Sequence, residues 1–281
     1  MQKLKVALIS FLAVVILSPF PPFAQAAEDP FVYPEQTPKL VRGTKYRISK
    51  SNISRTETNN EVRDAVVAIN AYREPPAYTV RLGRQGRVLV AFTNRSEAQR
   101  VSAGSGFFIH SDGYILTNKH VVDATESRYM VSLGEGRDLE ATVVYRDPEH
   151  DLAIIKIDGS GYSTLKLGDS TAAQIGDSIV AVGNALGVFE DASSTGTITA
   201  LNEDIRVQTD HGELILSNMI ESSAWVYPGD SGGPLLNKAG EVLGINTAAA
   251  VGWSDPISYA IPINSAAHVF NRAGVKLYSN H

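Results

Sequence analysis

One serine of the chain lies among glycines, in a setting that could make it a nucleophile. Ser231 is part of Tyr-Pro-Gly-Asp-Ser-Gly-Gly-Pro, residues 227–234. A serine hydroxyl attacks a carbonyl carbon readily only when a neutral imidazole takes its proton and a carboxylate holds that imidazole in the required tautomer. The chemistry open to this serine is therefore acyl transfer, provided that the fold brings a histidine and an acid to it.

The order of the candidate partners along the chain separates two ways of building such a site. Residues 229–233 fit G-x-S-x-G, the nucleophile turn of α/β-hydrolases, where a helix follows the serine and both the acid and the histidine come later. Here a Gly-Gly-Pro run opposes a helix, and only His268 and His281 remain downstream as bases. The sequence therefore favours the order histidine, aspartate, serine, which is that of chymotrypsin-like folds.

Upstream of the serine, one histidine and one aspartate are favoured by their position. His120 ends the β-rich run GYILTNKH, where a strand would give way to a turn, and histidines 110, 150 and 211 are interpreted as structural or surface residues. Asp151 opens DLAIIKI, which is typical of a buried strand, whereas Asp147 lies in a Pro-containing turn and Asp158 follows the strand. Position favours Asp151, and the residues alone leave Asp147 and Asp158 open.

Short β-branched runs, separated by turn residues, fill most of the chain from residue 105 to residue 263. Their spacing of roughly 8–12 residues is typical of all-β barrels and sandwiches. A Gly- and Ser-rich stretch, residues 159–170, divides the runs into two sets, and the runs at 196–201 and 205–209 are interpreted as separate strands. A helix is predicted only near the end, with Asn264 as its N-cap.

The first 26 residues have the pattern of a secretory signal, because two lysines precede an apolar run that ends in prolines and Ala-Gln-Ala. The run is shorter than the roughly 20 residues of a membrane span, so we expect cleavage, export and no membrane insertion afterwards. The absence of cysteine favours a bacterial periplasm over a disulfide-rich extracellular module. A net charge of −5 argues against binding to nucleic acid.

Two polar segments precede or interrupt the predicted strands. Residues 27–60 contain several prolines and no sustained period, and they are interpreted as an extended N-terminal arm. Six arginines fall within residues 73–100, which are interpreted as a solvated surface insertion, with a docking patch for acidic partners as the alternative. Neither metal-ligand spacings nor phosphate-binding glycine patterns occur, so no metal and no cofactor are predicted.

Six motifs resemble, in the same order, the protease domain of the HtrA/Deg serine proteases. They occupy residues 104–124, 147–158, 167–187, 229–237, 243–248 and 259–264. The resemblance covers about residues 61–275 and implies an all-β fold of two six-stranded antiparallel β-barrels with a C-terminal helix. The first barrel would span about 61–158 and the second about 173–263.

The same resemblance implies roles for individual residues. It implies a catalytic triad of His120, Asp151 and Ser231. The backbone N–H groups of Gly229 and Ser231 would form the oxyanion hole, with the N–H of Asp230 nearby. Glycine suits position 229 because it tolerates backbone conformations that are closed to other residues.

The run that precedes the serine and reaches the specificity pocket also departs from the family. The run before the serine usually resembles TDAAINPGNSGG, and here it is SSAWVYPGDSGG, residues 222–233. Trp225 would either fill the primary pocket, leaving it shallow and suited to small aliphatic residues, or turn into the core. Asn246 and Thr247 are expected to contact substrate. The neighbouring glutamyl endopeptidases have a histidine where this chain has Asn246, so specificity for glutamate is not expected.

Asp230 also departs from the family, which usually has asparagine at this position. In digestive-type zymogens the matching aspartate pairs with a new N-terminus, released by cleavage at a sequence such as I-V-G-G. No such sequence precedes the first barrel here. We therefore expect Asp230 to stay solvated or to accept a hydrogen bond from a local donor.

Two functions are consistent with these patterns. The first is an exported serine endopeptidase that cleaves polypeptides through an acyl-enzyme, and the second is a binding or chaperone-like protein whose site is not assembled. Most HtrA proteases carry PDZ domains after the barrels, but only 50 residues follow Ser231, so none is expected here. Because trimers formed through the N-terminal arm are common in the family, a homo-trimer through residues 27–60 is a further hypothesis.

Overall fold

The computed structural model describes most of the chain between residues 57 and 276. The described residues are 57–74, 78–82, 88–92, 98–124, 126–134, 136–184, 193–209, 212–251 and 256–276. The predicted signal segment, residues 1–26, lies outside them, as do residues 27–56 of the predicted arm and parts of the Arg-rich insertion. Within the described part, neither α-helix is long and apolar enough to cross a membrane.

Fourteen strands and two short α-helices make up the regular structure of the described residues. The N-terminal half contains α1 (Glu57–Ala65), β1 (Val66–Arg73), β2 (Tyr78–Leu82), β3 (Val88–Phe92), β4 (Gln99–His110), β5 (Tyr114–Thr117), β6 (Ser127–Ser132), β7 (Asp138–Arg146) and β8 (Ala153–Ile157). The C-terminal half contains β9 (Ser178–Val182), β10 (Ser193–Thr209), β11 (Gly212–Ser222), β12 (Pro234–Asn237), β13 (Val242–Val251), β14 (Pro256–Pro262) and α2 (Ala267–Arg272).

Twelve of these strands close into two barrels of six. The first has the order β1-β4-β5-β8-β7-β6 and the second the order β10-β11-β14-β13-β12-β9. Neighbouring strands pair antiparallel in both barrels, for example β5 with β8 and β13 with β14. The prediction of two six-stranded antiparallel barrels with a C-terminal helix is confirmed.

β8 shows why its sequence is an unbroken apolar run. Successive side chains of a strand point to opposite faces. Ile155 and Ile157 therefore pack inside the first barrel with Phe108. Ile154, the neighbour of Ile155 on the opposite face, belongs to a second cluster that also contains Leu236 of the second barrel. Because β8 is buried on both faces, the residues directly before it are held in a fixed position beside the other barrel.

Some elements differ from the sequence-based expectation. The runs at 196–201 and 205–209 form one strand, β10, because its pairing with β11 continues through register shifts on both sides of Glu203. β11 and α1 were not predicted at all, since polar residues interrupt the apolar pattern of both. The insertion at residues 73–100 contains the hairpin of β2 and β3, which forms its own two-stranded sheet.

The predicted cap of the terminal helix is also wrong. A 3-10 turn, Ile263–Ala266, precedes α2, and the side chain of Asn264 does not cap it. The amide of Asn264 instead donates to Asp169 at 2.8 Å and accepts from the backbone N–H of Ser170 at 3.1 Å. The residue therefore ties the C-terminal segment to the connection between the barrels.

Candidate active site

His120 and Asp151 come from neighbouring strands of the first barrel. His120 follows β5 and begins a 3-10 turn, His120–Val122, whose two valines are buried. Asp151 lies just before β8. Thr117 at the end of β5 pairs with Ala153 at the start of β8. The two catalytic candidates therefore leave the barrel at the same edge, which brings their side chains together.

The carboxylate of Asp151 holds His120 at two points. Its Oδ2 lies 2.6 Å from Nδ1 of the imidazole, and its Oδ1 accepts a hydrogen bond from the backbone N–H of His120 at 2.9 Å. An Nδ1–H that faces a carboxylate leaves Nε2 as the basic nitrogen of the ring. Of the alternative acids, Asp147 contacts two other histidines and Asp158 is exposed. Of these three acids, Asp151 is the one placed to orient His120.

Ser231 lies in the second barrel and is bonded to the first. Its carbonyl accepts a hydrogen bond from the backbone N–H of Ser105 in β4 at 2.8 Å, and its hydroxyl donates to the carbonyl of Thr247 in β13 at 3.3 Å. Asn118 completes the connection, because its amide donates to the carbonyl of Asp151 at 2.9 Å and to the hydroxyl of Thr247. The segments that carry the three triad candidates are thus joined across the two barrels.

The backbone before Ser231 forms a tight turn that exposes two N–H groups. The N–H of Asp230 donates to the carbonyl of Tyr227 at 2.9 Å, and Gly229 has a φ of 99°. Proline at the second position and glycine with positive φ at the third are the features of a type II turn. Within the described residues, the N–H groups of Gly229 and Ser231 donate to no acceptor. They remain available to an oxyanion.

The turn changes one of the sequence-based assignments. The N–H of Asp230 was expected to lie near the oxyanion, but it is used in the hydrogen bond to Tyr227. A backbone N–H that already has an acceptor at 2.9 Å offers no proton to a substrate. The candidate oxyanion hole therefore consists of Gly229 and Ser231 alone.

A buried serine of the first barrel supports this turn. The Ser105 hydroxyl donates to the carbonyl of Gly229 at 2.7 Å and accepts from the backbone N–H of Asn184 at 2.7 Å. Ser105 is fully buried. Sequence reasoning missed both Ser105 and Asn118. The signal in the sequence was a small polar residue at the end of an apolar run: Ser105 begins SGFFIH, and Asn118 ends GYILTN.

Replacing Ser105 by alanine is expected to lower kcat about tenfold, with a smaller effect on KM. The change leaves the carbonyl of Gly229 and the N–H of Asn184 without their partner, and a buried polar group left unsatisfied costs about 1–3 kcal/mol. The turn that aims the oxyanion donors is then less firmly held. Steady-state kinetics on a peptide substrate measure the effect, with the exposed Ser160→Ala as control. Equal kcat values for the two variants would show that Ser105 does not position the turn.

Asp230 finds a local donor, as expected from the sequence. Its Oδ2 accepts a hydrogen bond from the backbone N–H of Tyr227 at 2.8 Å. Its Oδ1 lies so close to Gly183 that a Cβ at that position would overlap it. Burial raises the pKa of Asp230 to about 6, and the hydrogen bond from Tyr227 opposes that rise only in part. The carboxyl is thus poorly solvated and has one protein donor among the described residues.

Trp225 lies at the surface beside this turn. Its side chain is 47% exposed and stacks on Tyr227, with ring centroids 6.0 Å apart and planes inclined by 13°. Its backbone N–H donates to the hydroxyl of Ser194 at 2.8 Å. Of the two alternatives left open by the sequence, the one in which Trp225 turns into the core is wrong.

Asn246 and Thr247 are both buried, and only one of them reaches the site. The amide nitrogen of Asn246 donates to the carbonyls of Val182 and Pro234, each at 3.1 Å, and the residue is 1% exposed. The substrate-contacting role expected for its side chain is therefore wrong, because that amide is used to hold the second barrel together. Thr247 takes part through its carbonyl, which accepts from Ser231.

The chain is similar to known proteases over this same region. The family model of the trypsin-like peptidase domain matches residues 104–245. A probable periplasmic serine endoprotease DegP-like from Pseudomonas putida is 39% identical over 178 residues, which are 63% of this chain and 35% of that protein. The protein of the same description from Halomonas elongata is 39% identical over 173 residues, 61% of this chain and 35% of the relative. The chain spans about a third of the length of these relatives.

A solved structure shows the same likeness. The HtrA-type protease AlgW with decapeptide matches with a TM-score of 0.59 and 29% sequence identity, over 77% of this chain and 66% of that one. The family model includes the segments that carry His120, Asp151 and Ser231. The chain therefore belongs to the trypsin-like peptidase domain family and is HtrA/DegP-like.

Proposed function

We propose that this protein is an exported serine endopeptidase that cleaves polypeptides through Ser231, His120 and Asp151. The observation that carries the proposal is the double contact of Asp151 with His120, next to a turn whose Gly229 and Ser231 N–H groups have no acceptor among the described residues. This combination supplies a base of fixed tautomer and two backbone donors that no acceptor among the described residues occupies. Acyl transfer needs both.

The proposed reaction follows from these groups. The Ser231 hydroxyl attacks the scissile carbonyl while Nε2 of His120 takes its proton, and the N–H groups of Gly229 and Ser231 bind the oxyanion. His120 then gives the proton to the leaving amine, and the acyl-enzyme remains. Water hydrolyses the acyl-enzyme by the same steps. One oxyanion donor typically stabilises the transition state by about 3 kcal/mol. No cofactor enters this sequence of steps.

Hydrolysis of a permanently unfolded polypeptide by the purified protein tests the proposal. We expect cleavage that disappears in Ser231→Ala while the circular dichroism spectrum stays the same. Equal cleavage by the variant would assign the activity to a contaminant. No cleavage by either protein would reject the proposal and favour the second candidate.

That second candidate is a binding or chaperone-like protein with a resting site. One observation favours it: the Ser231 hydroxyl donates to the carbonyl of Thr247 at 3.3 Å. A hydroxyl has one proton, so this bond and a bond to the imidazole of His120 exclude one another. Suppression of aggregation by both the unmodified protein and Ser231→Ala, without cleavage by either, would support this function.

Substrate preference is expected to depend on Trp225. We propose that its half-exposed indole lines a shallow primary pocket, so that the residue before the cleaved bond is a small aliphatic one such as Ala or Val. Trp225→Ala should then admit larger residues, whereas Tyr227→Phe, which keeps the stacking partner, should not. Cleavage profiles from a peptide library measure this. A clear preference of the unmodified protein for Phe, Lys or Glu would contradict it.

The cellular setting is part of the proposal. The signal pattern of residues 1–26 and the absence of cysteine support export to a bacterial periplasm, and the relatives are named periplasmic proteases. There we propose that the protein degrades misfolded envelope proteins or processes particular ones. A homo-trimer formed through residues 27–60 stays a prediction, since residues 27–56 lie outside the described part of the chain.

A further inference from the structure

Three side chains outside the triad converge on one point of the surface. Asp147 lies between the rings of His150 and His268, with its Oδ1 3.1 Å from Nδ1 of His150 and its Oδ2 2.6 Å from Nε2 of His268. One ligand atom from each residue lies within 4.8 Å of the others. They line a cavity of about 230 Å³ together with Tyr145 and Arg272.

The carboxylate at the centre is held rigidly. Asp147 is 2% exposed, and its Oδ1 accepts the backbone N–H groups of Glu149 at 2.9 Å and His150 at 2.7 Å. Burial alone would raise the pKa of Asp147, but the hydrogen bonds from His150, His268 and Glu149 hold it well below the usual range. The group is an anion whose Oδ1 contacts His150 and whose Oδ2 contacts His268.

We propose that Asp147, His150 and His268 bind one divalent transition-metal ion, with Zn²⁺ as the ion that their chemistry fits best. Two imidazole nitrogens and one carboxylate oxygen, with water as the fourth ligand, form a tetrahedral set that suits Zn²⁺. The N–H groups that bind Oδ1 orient the carboxylate in the way outer-shell partners orient metal ligands.

The present distances are close to those such a site requires. Metal–ligand bonds of about 2.0–2.2 Å in a tetrahedron place neighbouring ligand atoms roughly 3.3 Å apart. The N···O distances of 3.1 Å to His150 and 2.6 Å to His268 would have to widen by about 0.2 and about 0.7 Å. Because His150 now contacts Oδ1 and His268 contacts Oδ2, one ring must also shift to the oxygen that binds the ion. The side chains of His150 and His268 are 45% and 43% exposed, so both rings can turn.

The ion would connect the terminal helix to the loop that carries Asp151. His268 lies on α2, whereas Asp147 and His150 lie between β7 and β8, directly before Asp151. The loop is already bonded within itself, since the N–H of Asp147 donates to the carbonyl of Leu152 at 2.9 Å. Metal binding would replace the existing hydrogen bond between His268 and Asp147 by metal–ligand bonds and so stabilise the folded state by mass action.

Titration with Zn²⁺, followed by calorimetry, and with Co²⁺, followed by visible absorption, tests the proposal on the purified protein. We expect one ion per chain, a tetrahedral Co²⁺ spectrum and a melting temperature that rises with Zn²⁺. His150→Gln and His268→Gln should each weaken binding about tenfold or more. His110→Gln, which alters another histidine beside an aspartate, Asp112, is the matched control and should bind as the unmodified protein does.

The triad offers the competing site, so His120→Gln is the decisive second variant. Binding that survives in His120→Gln and is weakened in His268→Gln supports the proposal. Binding lost in His120→Gln but kept in His268→Gln would place the ion at the triad and overturn it. The absence of saturable binding to the unmodified protein would overturn it as well, and would leave the cluster as an aspartate hydrogen-bonded by two imidazoles.

Discussion

Asp151→Asn is expected to lower kcat about 10⁴-fold while the protein stays folded. Both carboxylate oxygens of Asp151 accept hydrogen bonds, one from the backbone N–H and one from the imidazole of His120. An asparagine has one acceptor and one donor in their place. If the acceptor keeps the backbone N–H, the amide NH₂ faces Nδ1, which must then accept. The proton moves to Nε2, and the ring can no longer act as base towards Ser231.

Steady-state kinetics and circular dichroism measure this prediction. Asp158→Asn is the matched control, because it removes a carboxylate at the exposed far end of β8 and should leave kcat unchanged. A loss of less than about tenfold in Asp151→Asn, with the fold intact, would mean that another group orients His120. If the large loss is accompanied by unfolding, the more conservative Asp151→Glu, which keeps both acceptor oxygens, is the variant to measure instead.

Asp230→Asn is expected to stabilise the protein at neutral pH relative to acid pH by up to about 3 kcal/mol. Folding raises the pKa of Asp230 from 3.8 to about 6, because the carboxyl is buried. Well below its unfolded pKa of 3.8 the carboxyl is protonated in both states and makes no difference to stability. Between that pH and the folded pKa of about 6 the unfolded state ionises while the folded state stays protonated, so the free energy of unfolding falls by about 1.4 kcal/mol per pKa unit and levels off above that range.

Chemical denaturation at pH 4 and pH 7 measures this difference. The free energy of unfolding of Asp230→Asn, minus that of the unmodified protein, should increase between the two pH values. Asp230→Ala is the control. It also removes the ionisation, so its stability difference from the unmodified protein should change with pH in the same way. Because it loses the acceptor for the N–H of Tyr227, it should be less stable than Asp230→Asn at both pH values. A difference that does not vary with pH would show that Asp230 ionises freely in the folded protein.

The sequence was most informative where local pattern and burial agree. The apolar run DLAIIKI predicted a buried strand, and β8 is indeed covered on both faces. That strand puts Asp151 at the edge shared with β5. The glycine of GDSGG predicted an unusual backbone, and Gly229 indeed has a positive φ. Such features depend on neighbours in the chain, which is why a pattern of a few residues could reveal them.

The remaining features depend on contacts between distant segments. Asn246 has the same chemistry whether it faces a substrate or the carbonyls of Val182 and Pro234, so its burial could not be read from the sequence. Ser105 acts on Gly229 from the other barrel. The cluster of Asp147 and His268 joins residues from a loop and the last helix, a separation at which no metal-ligand spacing is recognisable.

The central claim is that Ser231 is an activated nucleophile in an assembled site. An active-site-directed fluorophosphonate, which reacts with a serine hydroxyl only when a base activates it, tests this claim most directly. The adduct is located by mass spectrometry of the digested protein. We predict a single adduct on Ser231, no labelling of Ser231→Ala, and labelling of Asp151→Asn that is slower by orders of magnitude. No adduct on Ser231 in the folded, unmodified protein would contradict the account.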